Sequence, residues 1–206
     1  MNKTVLSKEI KQKEQQIQLQ KLEKLYNQCL QELISIGFNM SPQILGTIQI
    51  QLSKRSNKRY GCCRQQDPDE RTMTIEKVGR NRYVKYNKYN SHIIEISKWV
   101  MDLDDRIIKN TIIHEIIHCF PDCNNHGEQF KKYAKYINQK LGYNISRLGN
   151  KQEDYKKSNL EYDEKENSYK YTIKCTKCGK VIHRKRLQHD FFKKYRCLCG
   201  GKLKLC

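Results

Sequence analysis

The chain has 206 residues, and its 41 Lys and Arg against 22 Asp and Glu give a formal net charge of +19. This length allows one medium domain and a small second one. No stretch approaches the roughly 18 apolar residues of a membrane-spanning helix, so the sequence argues against a membrane protein. The positive charge indicates a polyanionic partner, with nucleic acid as the first candidate, although a lysine-rich solvated surface would give the same imbalance.

The cysteine content indicates which compartment the protein occupies. The chain has 10 cysteines, and its N-terminal residues hold no apolar stretch of the secretory type. We therefore expect a reduced, cytoplasmic protein, associated with the nucleoid, or nuclear if the organism is eukaryotic. In such a protein, paired cysteines bind metal more often than they form disulfides.

The first predicted element is a long helix. Residues 7–36 carry apolar side chains near a helical period among Lys, Glu and Gln. Residues 1–20 are interpreted as a polar helical N-terminal extension, because their apolar residues are too few for strong packing. This extension is either solvated or a weak coiled-coil arm. The pattern breaks at residues 37–42.

Several strands are predicted downstream of this helix. Residues 47–52 alternate strictly between polar and apolar side chains, and residues 92–97 form a second candidate strand. Residues 59–63 are a weaker candidate. The basic and aromatic residues 80–89 either contact nucleic acid or form a hairpin with a solvated edge. We expect an α+β domain in which a small sheet packs on the next helix.

That next helix carries the zinc-peptidase pattern His-Glu-x-x-His. His114 and His118 project from one helix face, and their spacing allows both to bind one Zn²⁺ at about 2.0–2.1 Å. Glu115 points about 100° away from His114, so it borders the metal and can take a proton from a zinc-bound water. Four isoleucines around the motif predict a deeply buried helix.

The third metal ligand is predicted just after the motif. Pro121 should end the motif helix, and a second helix then follows. Asn125 and Glu128 resemble a capping box at its start, and Gly142 is a plausible C-terminal stop. His126 would stand at the first turn of this second helix, free to point back at the metal, and is predicted as the third ligand.

Other zinc-peptidase patterns fit this sequence less well. The metzincin pattern requires a His where this chain has Asn124 and a downstream Met, whereas the last Met is Met101. A distant Glu ligand near position 138 is missing, because that residue is Asn138. Asp122 and Cys123 remain outside candidates for the ligand set.

The C-terminal part has a different composition. Residues 150–168 are polar with mixed charge and are interpreted as a linker. Residues 169–206 are predicted to form a zinc ribbon, since a segment this short can fold around a structural zinc ion held by four cysteines. The predicted ligands are two cysteine pairs, each followed by glycine: Cys175, Cys178, Cys197 and Cys199.

The second cysteine pair of this ribbon is Cys-x-Cys, one residue shorter than the usual Cys-x-x-Cys. The spacing therefore leaves the fourth zinc ligand open. Cys206, His183 or His189 are the alternatives to one member of the pair.

The ribbon segment is also strongly basic, with aromatic residues between its cations. Cations that bind phosphates and aromatic faces that stack on bases suit single-stranded nucleic acid, although some of the aromatic side chains must pack the ribbon itself. The predicted nucleic-acid contacts are Lys185, Arg186, Lys193, Lys194 and Arg196.

The order of these segments resembles the SprT-like zinc metalloprotease family, which includes the eukaryotic Spartan proteases. The resemblance covers residues 22–148, within a domain assigned to residues 21–149, together with the terminal ribbon. The N-terminal arm and the shortened cysteine pair depart from it. The segments that carry the resemblance are residues 22–27, 48–52, 94–97, 111–118, 126–130 and 195–203.

The resemblance implies a minimal zincin-like metalloprotease fold with three histidine ligands, which fall here on His114, His118 and His126. It implies Glu115 as general base, and for the Spartan branch it implies DNA-activated cleavage of proteins crosslinked to DNA. We therefore expect a zinc metalloprotease acting on DNA-associated proteins. It would hold one catalytic and one structural Zn²⁺, with single-stranded or damaged DNA as a partner.

The competing hypothesis is a non-enzymatic nucleic-acid-binding protein whose histidine cluster is a structural zinc site. Structural zinc sites usually have four protein ligands, whereas catalytic sites have three and an open position. Only three ligands are evident in this sequence. A fourth from Cys119, Asp122 or Cys123 would favour the structural interpretation.

Overall fold

A computed structural model of the chain describes residues 3–54, 58–162 and 170–206, with backbone alone over residues 3–8. The first two residues of the predicted N-terminal extension lie outside the described residues. So do residues 163–169, which hold the end of the predicted linker and the start of the predicted ribbon. Within the described residues, no helix is long and apolar enough to cross a membrane.

The chain divides into two units, Met1–Leu160 and Glu161–Cys206. The first unit begins with the long helix α1 (Lys3–Ser35). Residues 9–17 of this helix are exposed, in keeping with their polar composition. Its second half packs on the core because apolar side chains recur there every three or four residues. These buried side chains are Leu22, Leu25, Cys29 and Leu33.

A three-stranded sheet forms the centre of the first unit. The short helix α2 (Pro42–Leu45) leads into β1 (Thr47–Ser53), which pairs in parallel with the central strand β5 (Tyr89–Ser97). On the other side of β5, β2 (Gly61–Pro68) pairs antiparallel. Strands were predicted at residues 47–52 and 92–97 and are confirmed, whereas β2 begins later and extends further than the predicted 59–63.

A separate hairpin joins β2 to β5 along the chain. A 3₁₀ turn (Glu70–Thr72) leads into β3 (Met73–Val78), which pairs antiparallel with β4 (Asn81–Tyr86). Gly79, with φ +63°, lies in the turn between the two strands, a conformation that glycine adopts without strain. Nearly all side chains of this hairpin are exposed. The hairpin predicted for the basic and aromatic segment is therefore confirmed, and contact of this segment with nucleic acid stays a prediction.

Two helices complete the core. A 3₁₀ turn (Lys98–Asp102) leads into α3 (Asp105–Ile117), which begins where the Asp104 carboxylate accepts a hydrogen bond from the Arg106 N–H at 2.8 Å. Such a cap satisfies a backbone donor that the helix itself leaves unpaired. Helix α4 (Glu128–Leu141) packs beside α3 and ends at Gly142, which has the expected left-handed conformation.

The start of α4 differs from the prediction. The N-cap is Gly127, and no side chain caps the helix there. The Asn125 carboxamide oxygen instead accepts a hydrogen bond from the Gly127 N–H at 2.8 Å, so the capping box that we predicted with Glu128 does not form. His126 consequently lies before the helix and not in its first turn.

The segment predicted as a linker over residues 150–168 begins with a helix. Helix α5 (Lys151–Lys157) belongs to the first unit, because Tyr155 stacks on Trp99 with ring centroids 6.0 Å apart. The ammonium group of Lys151 lies 4.0 Å from the centroid of the same indole ring. The linker interpretation was therefore wrong for these residues. Although the segment is polar, its contact with Trp99, which is distant in the sequence, attaches it to the first unit.

The second unit is a small antiparallel sheet in the order β7–β6–β8. It consists of β6 (Tyr171–Cys175), β7 (Val181–Arg184) and β8 (Leu203–Leu205), with the short helix α6 (Phe191–Lys194) between β7 and β8. Its buried cluster is small for a domain, so the apolar contacts alone give little stability. The buried members are Ile173, Cys175, Phe191, Cys197 and Leu203.

The docking of α5 can be tested through Trp99, the single tryptophan of the chain. We expect Tyr155→Ala to lower the free energy of unfolding of the first unit by about 1–2 kcal/mol, because the stacked contact and its buried area are lost. Urea denaturation followed by Trp99 fluorescence measures this. The control Tyr83→Ala removes an exposed hairpin side chain and should change stability by less than about 0.5 kcal/mol. Equal effects of the two variants would contradict the docking.

Candidate metal centre

The two motif histidines lie at the C-terminal end of α3. His118 is the C-cap residue, yet its φ of −66° and ψ of −13° remain helical. His114 and His118 therefore keep the relation of residues one turn apart, and their ring centroids lie 5.0 Å apart. Because the helix ends here, the chain can turn back and bring a third side chain to the same face.

That third side chain is His126, from the loop between α3 and α4. Its Nε2 lies 3.0 Å from the Nε2 of His114, and its ring centroid lies 4.8 Å from that of His118. One ligand-capable nitrogen from each of the three rings lies within 4.8 Å of the others. The structure thus brings together the three histidines that the sequence predicted as a ligand set.

The loop that carries His126 is fixed by contacts with the strands. The Asn124 amide group donates to the Tyr86 carbonyl at 3.0 Å, and the Gln65 amide group on β2 donates to the Asn124 side-chain oxygen at 2.6 Å. Gln65 also donates to the His118 carbonyl at 3.2 Å. These contacts tie the loop and the end of α3 to the same strand, which limits the freedom of His126.

The protonation states of these rings suit metal binding. The His118 Nδ1 lies 2.6 Å from the Cys123 carbonyl oxygen, which can only accept, so Nδ1 carries the hydrogen and Nε2 keeps its lone pair. Burial and, to a smaller extent, the neighbouring His118 and His126 together lower the pKa of His114 to about 3. Burial likewise lowers the pKa of the other two rings. All three imidazoles are therefore neutral near pH 7, the form in which a histidine binds a metal ion.

Phe130 packs against all three histidine rings. Its ring centroid lies 4.9, 4.8 and 4.7 Å from those of His114, His118 and His126, and it is only 2% exposed. One aromatic ring therefore contacts all three imidazoles and restricts their rotation. Sequence reasoning assigned Phe130 only to the apolar face of α4, although its position four residues after His126 was a usable signal.

Glu115 is buried between α3 and β2, with 6% of its surface exposed. Burial raises the pKa of its carboxyl group to about 8, while the Cys63 backbone N–H and the Arg59 charge act in the opposite direction. A Cβ atom at Gly61 would lie 2.8 Å from the Glu115 Oε1. Only a glycine therefore allows β2 to pass this close to the carboxylate, a constraint that sequence reasoning missed.

A cavity of about 410 Å³ adjoins His126. Its buried lining is apolar, from Phe130, Ala134 and Ile145, and the exposed side chains around it include Lys131, Lys135 and Arg147. A space of this size beside the histidines can hold a small ligand group, and its cations favour a negatively charged one.

The other candidate ligands lie outside the histidine cluster. Cys123 is buried but offers its carbonyl to His118, and Asp122 is exposed. The Cys119 Sγ lies 3.7 Å from the Cys63 Sγ instead. Across the described ranges, the ligand group around His114 consists of three histidines and no fourth side chain.

The four ribbon cysteines meet in the second unit. The Cys175 Sγ lies 3.6 Å from that of Cys199, and the Cys178 Sγ lies 3.6 Å from that of Cys197. The backbone N–H of Lys177 donates to the Cys175 Sγ at 3.3 Å. All four sulfur atoms lie within 4.8 Å of one another, so this cluster is compatible with a zinc ribbon.

Both members of the short Cys-x-Cys pair take part in this cluster. A Cβ atom at Gly201 would lie 2.6 Å from the Cys175 Sγ, so the glycine after the pair lets the chain close around the sulfur atoms. The alternatives lie elsewhere: Cys206 is exposed, and the His183 Nδ1 lies 3.2 Å from the Thr172 hydroxyl. His189 is also outside the group formed by the described residues.

The five predicted nucleic-acid contacts are all exposed in the second unit. Lys194 forms an ion pair with Asp190 at 2.5 Å. The Arg196 guanidinium donates to the backbone carbonyls of Phe192 and Tyr195 at 2.7 and 3.0 Å. Arg196 therefore also holds the end of α6, a structural use that the sequence did not indicate.

The geometry defines an α+β domain with a candidate metal centre, followed by a small four-cysteine unit. The family model described as SprT-like family matches residues 19–149, which is more than half of the chain. The chain therefore belongs to the SprT-like family, which is linked to metallopeptidase-like activity. No curated protein and no solved structure matched the chain.

The burial of Glu115 predicts how the stability of the metal-free chain depends on pH. Its pKa is about 8 in the folded state against 4.5 for an unperturbed glutamate, so the folded state binds more protons between these values. Stability should therefore fall as pH rises from about 4.5 to 8. Glu115→Gln removes this penalty, and at pH 9 it should be more stable than the wild type by about 2–4 kcal/mol.

Urea denaturation in the presence of a chelator, at pH 5 and pH 9, measures the difference between the two proteins. Glu128→Gln, which removes an exposed carboxylate at the start of α4, is the control for the loss of one negative charge. A difference between Glu115→Gln and the wild type that is equal at both pH values would contradict the buried, protonated state of Glu115.

Proposed function

We propose that the chain is a zinc-dependent metalloprotease with a zincin-like domain, which hydrolyses peptide bonds in proteins bound or crosslinked to DNA. The observation that carries the proposal is the convergence of three neutral imidazoles beside a buried glutamate, next to a cavity of about 410 Å³. The family membership supports the same chemistry.

The residues fit a zinc ion. His114, His118 and His126 would hold it, because one ring nitrogen of each converges on the same place and the His118 Nε2 keeps its lone pair. When bound, zinc acts as a Lewis acid that polarises the peptide carbonyl and lowers the pKa of water toward about 7. With three protein ligands, one position is left for substrate or water, as in catalytic sites.

Glu115 is the general base and general acid of the proposed reaction. It accepts a proton from the water that attacks the peptide carbonyl and later donates that proton to the leaving amine. Burial raises the pKa of this carboxyl group in the metal-free chain. A zinc ion at the histidines would lower it again, because a nearby positive charge favours the carboxylate that accepts the proton. Its hydrogen bond with the Cys63 backbone N–H and the close approach of Gly61 hold it in position.

Two surfaces support a protein substrate. Strand β2 lies at an edge of its three-stranded sheet and touches Glu115 through Gly61, so an extended peptide that pairs with this edge would pass the carboxylate. The cavity beside His126 would receive one of its side chains. The cations Lys131, Lys135 and Arg147 at this cavity favour an acidic residue there.

The basic second unit supports DNA as the partner. Its exposed cations include Lys185, Arg186 and Lys193, and cations of this kind bind phosphates with little dependence on sequence. Exposed aromatic side chains, Phe192 and Tyr195, lie among them and could stack on bases. In this proposal, the second unit recruits the protease to DNA that carries a bound protein.

The alternative, a non-enzymatic protein with a structural zinc site, has less support. It requires a fourth protein ligand, and the described residues around His114 provide three histidines only. It also gives no role to the buried Glu115 or to the cavity beside His126.

The catalytic proposal predicts a specific loss in Glu115→Gln. This variant should retain zinc at the histidines but cleave a DNA-binding protein at least about 100-fold more slowly, because general acid–base catalysis contributes about 10²–10⁴-fold. The measurement is product formation by gel electrophoresis, with bound zinc counted in parallel. Glu128→Gln, an exposed carboxylate in the same region, should cleave at the wild-type rate. Unchanged cleavage by Glu115→Gln would contradict the assignment.

The DNA proposal predicts a strong dependence on salt. Binding of single-stranded DNA should weaken steeply between 50 and 200 mM salt, since counterions are released when cations contact phosphates. Lys185→Ala together with Lys193→Ala should reduce the slope of log affinity against log salt by about 1–2. Lys11→Ala with Lys24→Ala, on exposed positions of α1, should leave it unchanged. If the affinity does not depend on salt, the cations of the second unit do not bind phosphates and form only a solvated surface.

A further inference from the structure

A third group of metal-ligating side chains lies in the first unit, separate from the histidine centre. It consists of Cys63 on β2, His92 on β5 and Cys119 just after α3, with one ligand-capable atom of each within 4.8 Å of the others. The proposed peptidase function uses none of these side chains.

This cluster is buried and contains an unpaired polar atom. His92 is 2% exposed and Cys119 is 3% exposed. The His92 Nδ1 is shielded from solvent and has no hydrogen-bond partner among the described residues. A buried polar atom without a partner costs about 1–3 kcal/mol, and such atoms are rare in folded proteins. A bound ion would give this nitrogen a partner.

The two sulfur atoms have the separation that a shared metal ion requires. The Cys63 Sγ and Cys119 Sγ lie 3.7 Å apart. Two thiolates on one tetrahedral zinc ion, each at about 2.3 Å, lie about 3.8 Å apart. The sulfur pairs of the second unit have nearly the same separation, 3.6 Å.

The sheet register explains why these residues meet. Cys63 pairs with Ile94 across the β2–β5 ladder, and His92 lies two residues before Ile94 on the same face of β5. Because Ile94 is fully buried, this face is the one that packs on the core. Cys119 reaches the same layer from the turn after α3, where its thiol also contacts the Glu115 carbonyl at 3.6 Å.

We propose that Cys63, His92 and Cys119 bind a thiophilic metal ion, Zn²⁺ or Cu⁺. Two thiolates and one imidazole are ligands that both ions accept, whereas Mg²⁺ and Ca²⁺ prefer oxygen ligands. Binding releases the two thiol protons to solvent and forms two metal–sulfur bonds and one metal–nitrogen bond.

Such an ion would link three segments that are far apart in the sequence. It would hold β2, β5 and the residue after His118 together, and so fix the strand that contacts Glu115. A crosslink of this kind stabilises a fold because the metal site does not exist in the unfolded chain. The proposal does not rest on the peptidase function, since none of the three residues is a member of the histidine centre.

The test is a count of bound metal ions on the reduced full-length chain. The protein is saturated with Zn²⁺ or, in a second series without oxygen, with Cu⁺, and native mass spectrometry counts the ions after excess metal is removed. Cys63→Ser and Cys119→Ser should each bind one ion fewer than the wild type with at least one of the two metals, and the series in which the loss occurs identifies the ion.

Cys29→Ser is the matched control. Cys29 is fully buried in the same core but belongs to none of the three ligand groups of the described residues, so this variant should bind as many ions as the wild type. If Cys63→Ser and Cys119→Ser both bind as many ions as the wild type with both metals, the proposal is wrong. If the wild-type chain binds an ion at the cysteine cluster but none at His114, the peptidase proposal is contradicted and this one is not.

A second measurement covers the case in which the serine variants do not fold. The unaltered chain is loaded with cadmium, and its cadmium NMR spectrum is recorded. A site with two thiolates and one imidazole should give a resonance between those of a four-thiolate site and an all-nitrogen site. A spectrum without a resonance in this intermediate region would overturn the proposal.

Discussion

The burial of the Glu115 carboxyl group between α3 and β2 is the constraint on which the rest of the centre depends. A carboxylate in such a place is destabilising unless the surrounding backbone compensates it. Here the Cys63 N–H contacts it, and glycine at position 61 allows β2 to approach within the distance that a Cβ atom would occupy. The same contact fixes the distance between the sheet and the motif helix, and therefore the position of both motif histidines.

The histidine cluster then follows from the end of α3. Because the helix ends at Ile117, the chain turns within a few residues, and Gln65 and the Tyr86 carbonyl hold the returning loop. His126 is thereby placed against His114, and Phe130 fills the space beneath the three rings. The proposed catalytic residues thus depend on contacts with two strands and on the start of α4, and not on the motif helix alone.

The sequence predicted the parts of this arrangement that depend on local spacing. The relation between His114 and His118 follows from the helical repeat, and the strand at residues 47–52 follows from strict alternation. His126 was predicted as the third ligand in the first turn of α4. It lies before that helix instead, because the Gly127 N–H pairs with Asn125 and no capping box forms. The cysteine pairs of the second unit were likewise visible in the sequence, because ligand spacing is local.

Contacts between segments that are distant in the sequence could not be predicted. Gly61 lies 54 residues before Glu115, and only the packing of β2 on α3 shows that the two meet. Helix α5 is too polar to be predicted as part of the core, and it is held by the contact of Tyr155 with Trp99. The group of Cys63, His92 and Cys119 depends on the pairing of β2 with β5. Spacing along the chain gives no sign of it.

A crystal structure of the zinc-loaded chain, with anomalous diffraction recorded at the zinc absorption edge, tests the catalytic zinc centre most directly. We predict a zinc peak about 2.0–2.1 Å from one ring nitrogen of each of His114, His118 and His126, with the Glu115 carboxylate beside the ion and not bound to it. A fourth protein ligand on this ion, direct binding by Glu115, or no peak among the three histidines would contradict a catalytic zinc centre in this protein.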